Sequence, residues 1–302
     1  PLILSLRNHF TDSDFYYLGA HKNHFSNLLK EYNVKIKTLD LNLRYFGFRW
    51  WHLLFVKKYF SKIGITKFHI VIDLQSKIRN TLILKRIPSV NFYSSTYNFI
   101  FSSKNKKYST GDNISETVIN NLEKFFETQI KYLDFNLDNL DNVYIKEAKR
   151  LLPSEGYIGF SVTQGNPYRK KSWSLDKFIK LANKVVEIKK TPVFFIEKKN
   201  HDIIREIKKK VSNALFPELD SDLSCPALVT ALSERLDKAI SIDNGIMHMI
   251  ALSKIPMIVL FGPTNSKKFS PKKKNTTILD SKIIYKSKNI NKIQVNDVFK
   301  NI

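Results

Sequence analysis

Residues 238–271 constrain this chain more than any other stretch. Residues 239–242 form a short β-branched run, Asp243-Asn244-Gly245 is a turn signal, and 246–253 is compatible with a helix. Residues 255–261 then form an apolar run closed by Gly262-Pro263-Thr264. These spacings predict a βαβ unit. A strand without polar alternation belongs in a sheet covered on both faces, as in parallel α/β domains. The turn after the first strand sets a helix N-terminus at the carboxyl edge of that sheet, where α/β folds bind anions. Gly245 would let backbone approach a phosphate, and His248 lies in the first helical turn.

Composition sets the limits. A chain of 302 residues, 43% apolar and 25% charged, is long enough for two ordinary cores. The single cysteine, Cys225, excludes a disulfide framework and a cysteine-based zinc site, and otherwise reads as a small buried residue. No apolar run approaches the length of a membrane span. The net charge of +23 reads either as attraction to a polyanion or as a generally basic solvated surface.

Asp243 to His248, then Pro256, then Leu260-Phe261-Gly262-Pro263-Thr264, resemble the D-x-G-x-M-H, P and L-F-G-P-T signature of glycosyltransferase family 9, the ADP-heptose:lipopolysaccharide heptosyltransferases. The resemblance implies an α/β chain of GT-B type, with two Rossmann-like domains facing a central cleft. It implies an acceptor-binding domain over 1–152, a nucleotide-sugar-binding domain over 153–290, and a terminal helix over 291–302 packed back toward the first domain. Asp243, Asn244, Gly245, His248 and Thr264 then become donor contacts.

The same resemblance extends along the chain. Strand 157–162 is followed by a loop over 163–173 similar to the family's loop ending K-x-W-P, with Ser174 in place of Pro. It assigns Thr163 and Lys171 to the donor diphosphate, with Arg169 and Lys170 as seconds. A lysine suits this position chemically, because a departing nucleoside diphosphate gains negative charge as the glycosidic bond breaks. After the strand at 192–196 the family has a Gly-rich turn and an acid for the ribose; here the glycines are replaced, and Asp202 is preferred over Glu197. Ser224 and Cys225 fall where relatives line the adenine pocket.

In the first half, strand 68–75 ends in Asp73-Leu74-Gln75 and resembles the family's D-x-Q-G-x-x-R-S, with Ser76 for Gly and Asn80 for Ser. This implies acceptor contacts at Asp73, Gln75 and Arg79; alternatively Asp73 caps the following helix. Residues 94–110 lack periodicity and read as a mobile loop. Residues 45–60 are dense in aromatics with Arg49, Lys57 and Lys58 among them. They fit a core-packing helix with a basic outer face, or a segment lying on a membrane surface.

The reaction implied is metal-independent, cofactor-free, inverting transfer of a heptose from ADP-heptose to an anionic lipopolysaccharide acceptor, in the cytoplasm at the inner face of the membrane. No D-x-D pair follows a strand, and the seven histidines are scattered. The family's base, an Asp a few residues before a Pro that Pro1 resembles, is expected upstream of residue 1; within the chain Asp73 is the only substitute. The alternatives are a family member with another nucleotide sugar or a polysaccharide acceptor, a truncated inactive copy, or a basic nucleic-acid-binding protein. No nucleic-acid-binding motif accompanies the charge, so nucleic acid is not an expected partner.

Overall fold

A computed structural model describes residues 1–19, 25, 27–39, 48–62, 64–164 and 171–302. The chain divides into two units, Pro1–Lys30 with Val34–Asp134, and Glu31–Asn33 with Phe135–Ile302.

The first unit runs α1 (Leu2–His9), β1 (Tyr16–Leu18), β2 (Lys37–Leu39), α2 (His52–Lys62), β3 (Phe68–Asp73), α3 (Ile78–Lys85), β4 (Ser89–Ser94) and α4 (Ile114–Phe126). β1 pairs with β2 and β3 with β4, both in parallel. The pleat sends neighbouring residues of β4 to opposite faces. Phe92 therefore packs with Val56, Phe60 and Ile83 of α2 and α3, while Tyr93 packs with Leu6, Leu122 and Phe125 of α1 and α4. Lys30–Tyr32 is a single 3₁₀ turn. The loop read as mobile is pinned instead. Phe99 is buried in the core, the Ser103 N–H donates to the Phe92 carbonyl at 2.8 Å, and Asn121 Oδ1 accepts from the Ser109 N–H at 2.9 Å.

The second unit runs α5 (Asn142–Leu151), β5 (Tyr157–Ser161), α6 (Leu175–Glu187), β6 (Thr191–Phe195), α7 (His201–Lys210), α8 (Pro226–Ser233), β7 (Lys238–Ile242), α9 (Gly245–Ile250), β8 (Met257–Phe261), α10 (Ser266–Phe269), β9 (Thr276–Asp280), α11 (Ser281–Ile284) and α12 (Val295–Phe299). Its strands form one parallel sheet in the order β6-β5-β7-β8-β9. β5 and β8 are buried along their whole lengths, as their unbroken apolar runs require of a sheet covered on both faces. α6 buries Phe178, Leu181, Ala182 and Val185, one helical stripe, against Phe160 and Phe194. A buried phenylalanine of this kind contributes about 1.5–3 kcal/mol. Gly159 leaves room for a neighbouring side chain: a Cβ there would stand 2.5 Å from Leu236 Cδ1.

The units divide at Asp134 and Phe135, not near residue 153 as expected. The reason is that α5 belongs to the second core. It packs on α8, Arg150 donates to the Asp220 carbonyl at 2.9 Å, and Ser221 Oγ donates to Glu147 at 2.6 Å. The packing recorded for the terminal helix is likewise internal to the second unit, on α6, with Lys184 over the Phe299 ring at 5.0 Å.

Candidate functional site

In the sheet order, β6 and β7 flank β5 on opposite sides, so the connections leaving β5 and those returning to it diverge. Such a reversal opens a crevice at the carboxyl ends of the two central strands, where doubly wound folds bind ligands. Here the crevice is framed by Ser161 at the end of β5, Thr163 just beyond it, and Asp243 and Asn244 after β7.

Asn244 holds the two strand ends together. Its Nδ2 donates to Ser161 Oγ at 2.7 Å and to the Thr163 carbonyl at 2.8 Å, while its Oδ1 accepts from the Met247 N–H at 2.8 Å and caps α9. Every polar atom of that side chain is occupied, so Asn244 is a clasp across the crevice. Gly245 follows with open space where a Cβ would be. α9 is shorter than the helix expected over 246–253, ending at Ile250.

Lys171 reaches the same place from the loop after β5. Its Nζ lies 2.5 Å from Asp243 Oδ2 and 3.3 Å from the Asp243 carbonyl, and the two side chains are 12% and 7% exposed. The K-x-W spacing has a structural cause. Two residues on, Trp173 is buried edge-on against Phe178 at 4.9 Å and donates through Nε1 to the Ile293 carbonyl at 3.0 Å. The Lys171 N–H also donates to Gln164 Oε1 at 2.9 Å. Arg169 and Lys170 lie outside the described residues. Asp243 fixes the ammonium through two of its three N–H bonds, and a carboxylate so paired no longer presents an uncompensated negative charge.

His248 stands on α9 at this edge. By surface area it is exposed, yet protein crowds its ring closely. Desolvation therefore holds its pKa below the ordinary histidine value, with Asp243 opposing the shift and Lys171 adding to it. At the end of β8, Thr264 Oγ1 is buried with no hydrogen-bond partner among the described residues. The preceding Gly262 is needed, since a Cβ there would meet Ile290 Cβ at 2.8 Å.

The remaining predicted donor contacts sit differently. Asp202 is 97% exposed in the first turn of α7, and its ion pair is to Arg205 at 3.9 Å. Glu197 pairs with Lys199. Ser224 is exposed ahead of α8 and contacts a residue the sequence did not single out, Glu218. Glu218 is 6% exposed with Oε2 unpartnered. Burial, then the charge of Glu197, push its carboxyl up to about 7, against the Ser224 hydroxyl and the backbone at Ile196. Nothing in Phe216-Pro217-Glu218-Leu219 signals this, because the desolvation comes from residues distant in sequence.

In the first unit, Asp73 is 1% exposed and fully engaged. Its Oδ2 accepts from Thr81 Oγ1 at 2.5 Å and Ser94 Oγ at 2.9 Å, and its Oδ1 from the Gln75 N–H at 2.9 Å. These bonds make Asp73 the keystone of the turn from β3 to α3. Gln75 is exposed and bonded to Asn80, and Arg79 is half-buried beside Asn80. Ser76 has φ of 53°, the left-handed region that favours glycine, which explains the glycine in the family pattern. Among the described residues no group of three or more His, Cys, Asp or Glu could hold a metal ion.

The fold and the crevice are those of a doubly wound α/β protein, and the comparisons are specific. The sequence profile of glycosyltransferase family 9 (heptosyltransferase) matches residues 56–299, and the chain belongs to this family. Among solved structures, a family 9 glycosyltransferase from Veillonella parvula aligns with a TM-score of 0.71 at 20% identity, over 99% of this chain and 90% of its own. E. coli heptosyltransferase WaaC with ADP gives 0.66 at 11% identity, over 99% and 93%. E. coli ADP-heptose lps heptosyltransferase II gives 0.63 at 12% identity, over 99% and 91%. These likenesses establish a GT-B fold. A comparison with curated proteins returned no match.

Proposed function

We propose that this chain moves a heptose from ADP-heptose to a lipopolysaccharide-core acceptor, inverting the anomeric centre in one displacement without a metal ion. The observation that carries the reading is the Lys171–Asp243 pair at the crevice between β5 and β7. A diphosphate entering there meets an ammonium already oriented by Asp243 and by the buried Trp173. The open space beside Gly245 gives phosphate oxygens room. As the glycosidic bond breaks, Lys171 offsets the charge gathering on the leaving phosphate, the task a metal ion performs in other transferases. His248 at the same edge serves as a hydrogen-bond donor to the leaving group.

ADP and the lipopolysaccharide acceptor are favoured because two solved relatives of the same fold are a heptosyltransferase with ADP and an ADP-heptose lps heptosyltransferase. We place acceptor contacts at Gln75 and Arg79. A second reading, another nucleotide sugar, is favoured by the glycine-free turn at Glu197 and by the carboxyl of Glu218 beneath Ser224.

Calorimetric titration with ADP, UDP and GDP separates the two. Selective ADP binding is expected; preference for UDP or GDP would replace the donor, and no binding to any of them would remove the transferase reading.

A further inference from the structure

The solvent side of α2 is not built as a solvent side. Its inner face is conventional, with Val56 and Phe60 at 3% and 1% exposure against Ile83, Ile87 and Phe92. Opposite, Trp51, Leu54, Phe55 and Lys58 recur at the helical spacing of three and four residues. Trp50, Trp51, Leu54 and Phe55 are 54%, 58%, 74% and 57% exposed. Large apolar side chains exposed singly are ordinary; four together, two of them adjacent tryptophans, mark a surface that meets something other than water.

Charge selects the occupant. Arg49, Lys57 and Lys58 are exposed around the aromatics. Between Asp40 and Asp73 the sequence has no Asp or Glu, while it has six Lys and Arg. Tryptophan favours the boundary between lipid headgroups and acyl chains, and each Lys or Arg near an anionic leaflet adds about 1 kcal/mol. The turn that presents them is set: the Arg49 N–H donates to His52 Nδ1 at 2.8 Å, and His52 opens the helix. Among the described residues no helix is long and apolar enough to cross a membrane, so this face can only lie along one.

We infer that Trp50, Trp51, Leu54 and Phe55, ringed by Arg49, Lys57 and Lys58, form a docking surface for an anionic phospholipid bilayer. It belongs to the first unit and is independent of the donor reading, whose residues are in the second. Insertion is shallow: the aromatics enter the headgroup boundary and the basic side chains bind lipid phosphates.

The protein carries its own probe. Of its three tryptophans, Trp173 is buried at 1% exposure, so a change in emission on adding vesicles reports Trp50 and Trp51. The full chain is mixed with phosphatidylcholine vesicles, with and without phosphatidylglycerol, and followed by flotation and tryptophan emission. Flotation with a blue shift is expected only when phosphatidylglycerol is present. Leu54→Ser with Phe55→Ser should weaken binding roughly tenfold or more, and Lys57→Glu with Lys58→Glu comparably. All four positions are exposed, so thermal melts should move little. Four outcomes would overturn the inference. These are no flotation with phosphatidylglycerol vesicles, equal flotation without phosphatidylglycerol, undiminished binding by the Leu54/Phe55 variant, or self-association abolished by that variant in a chain that ignores vesicles. The last would assign the surface to a second copy. ADP titration of the same samples keeps the two readings apart, since either can fail alone.

Discussion

Asp73 and Asp243 occupy similar places in the two units: Asp73 ends a parallel strand and Asp243 follows one, and each is nearly buried and opens the turn toward a helix. Their partners separate them. Asp73 is saturated by two hydroxyls and a backbone N–H, all neutral and all from its own unit. Asp243 holds an ammonium that reaches it from the loop after β5. An acid at a strand end is therefore not a site in itself. Neutral donors make it part of the scaffold; a cation gives it a charged group to hold in place. Glu218 is a third case, a buried carboxyl with an oxygen left over.

The comparison breaks most visibly at Asp73. Asp73→Ala strands two buried hydroxyls and one part-buried backbone N–H and should cost roughly 3–5 kcal/mol, read as a large fall in Tm with little direct effect on ADP affinity in the folded fraction. A mild stability loss would mean the network is not the keystone described. Glu218 gives the next largest effect. Its folded-state value lies near 7 against an ordinary 4.5, so the native chain keeps a proton that the unfolded chain releases. The stability this contributes is complete below pH about 4.5 and is lost as the pH rises to about 7, up to about 3 kcal/mol in all. Denaturant melts across that window should show the decline, and Glu218→Gln should flatten it.

Lys171→Ala should weaken ADP binding by about 1.5–3 kcal/mol, the contribution of a charged hydrogen bond. Asp243→Ala should weaken it less, by about 1 kcal/mol, because the ammonium survives but loses its orientation. If calorimetry found the two equal, Asp243 would be a direct ligand after all. The smallest effect is at Ser76. Ser76→Gly relieves the left-handed backbone and should raise stability by at most about 1 kcal/mol, reduced by losing the hydroxyl contact to Ser95.

What the sequence disclosed and what it withheld follow one rule. The strand at 157–162, the apolar run of β8 and the turn at Asp243 are local patterns, and each stands in the structure where its pattern set it. The crevice follows from a strand order that such runs make usual. Partners were another matter. Lys171 and Asp243 meet across 72 positions, and Thr81 and Ser94 meet Asp73 from another helix and strand. No spacing rule announces such meetings. The α2 segment shows the same limit: residues 45–60 suited a core helix or a membrane surface, and only the burial of Val56 beside the exposure of Leu54 reveals both faces on one helix.

Residues 293–302 fasten the loop that bears Lys171. The Ile293 carbonyl receives both the Trp173 indole and, at 2.8 Å, the Lys177 ammonium, while Lys238 at the start of β7 grips the Asn301 carbonyl at 2.6 Å. Mechanically, this tail is a drawstring whose two ends are tied to the loop bearing Lys171 and to the strand leading to Asp243. Slackening it, by trimming beyond Ile290, should lower ADP affinity if Lys171 binds the nucleotide as proposed.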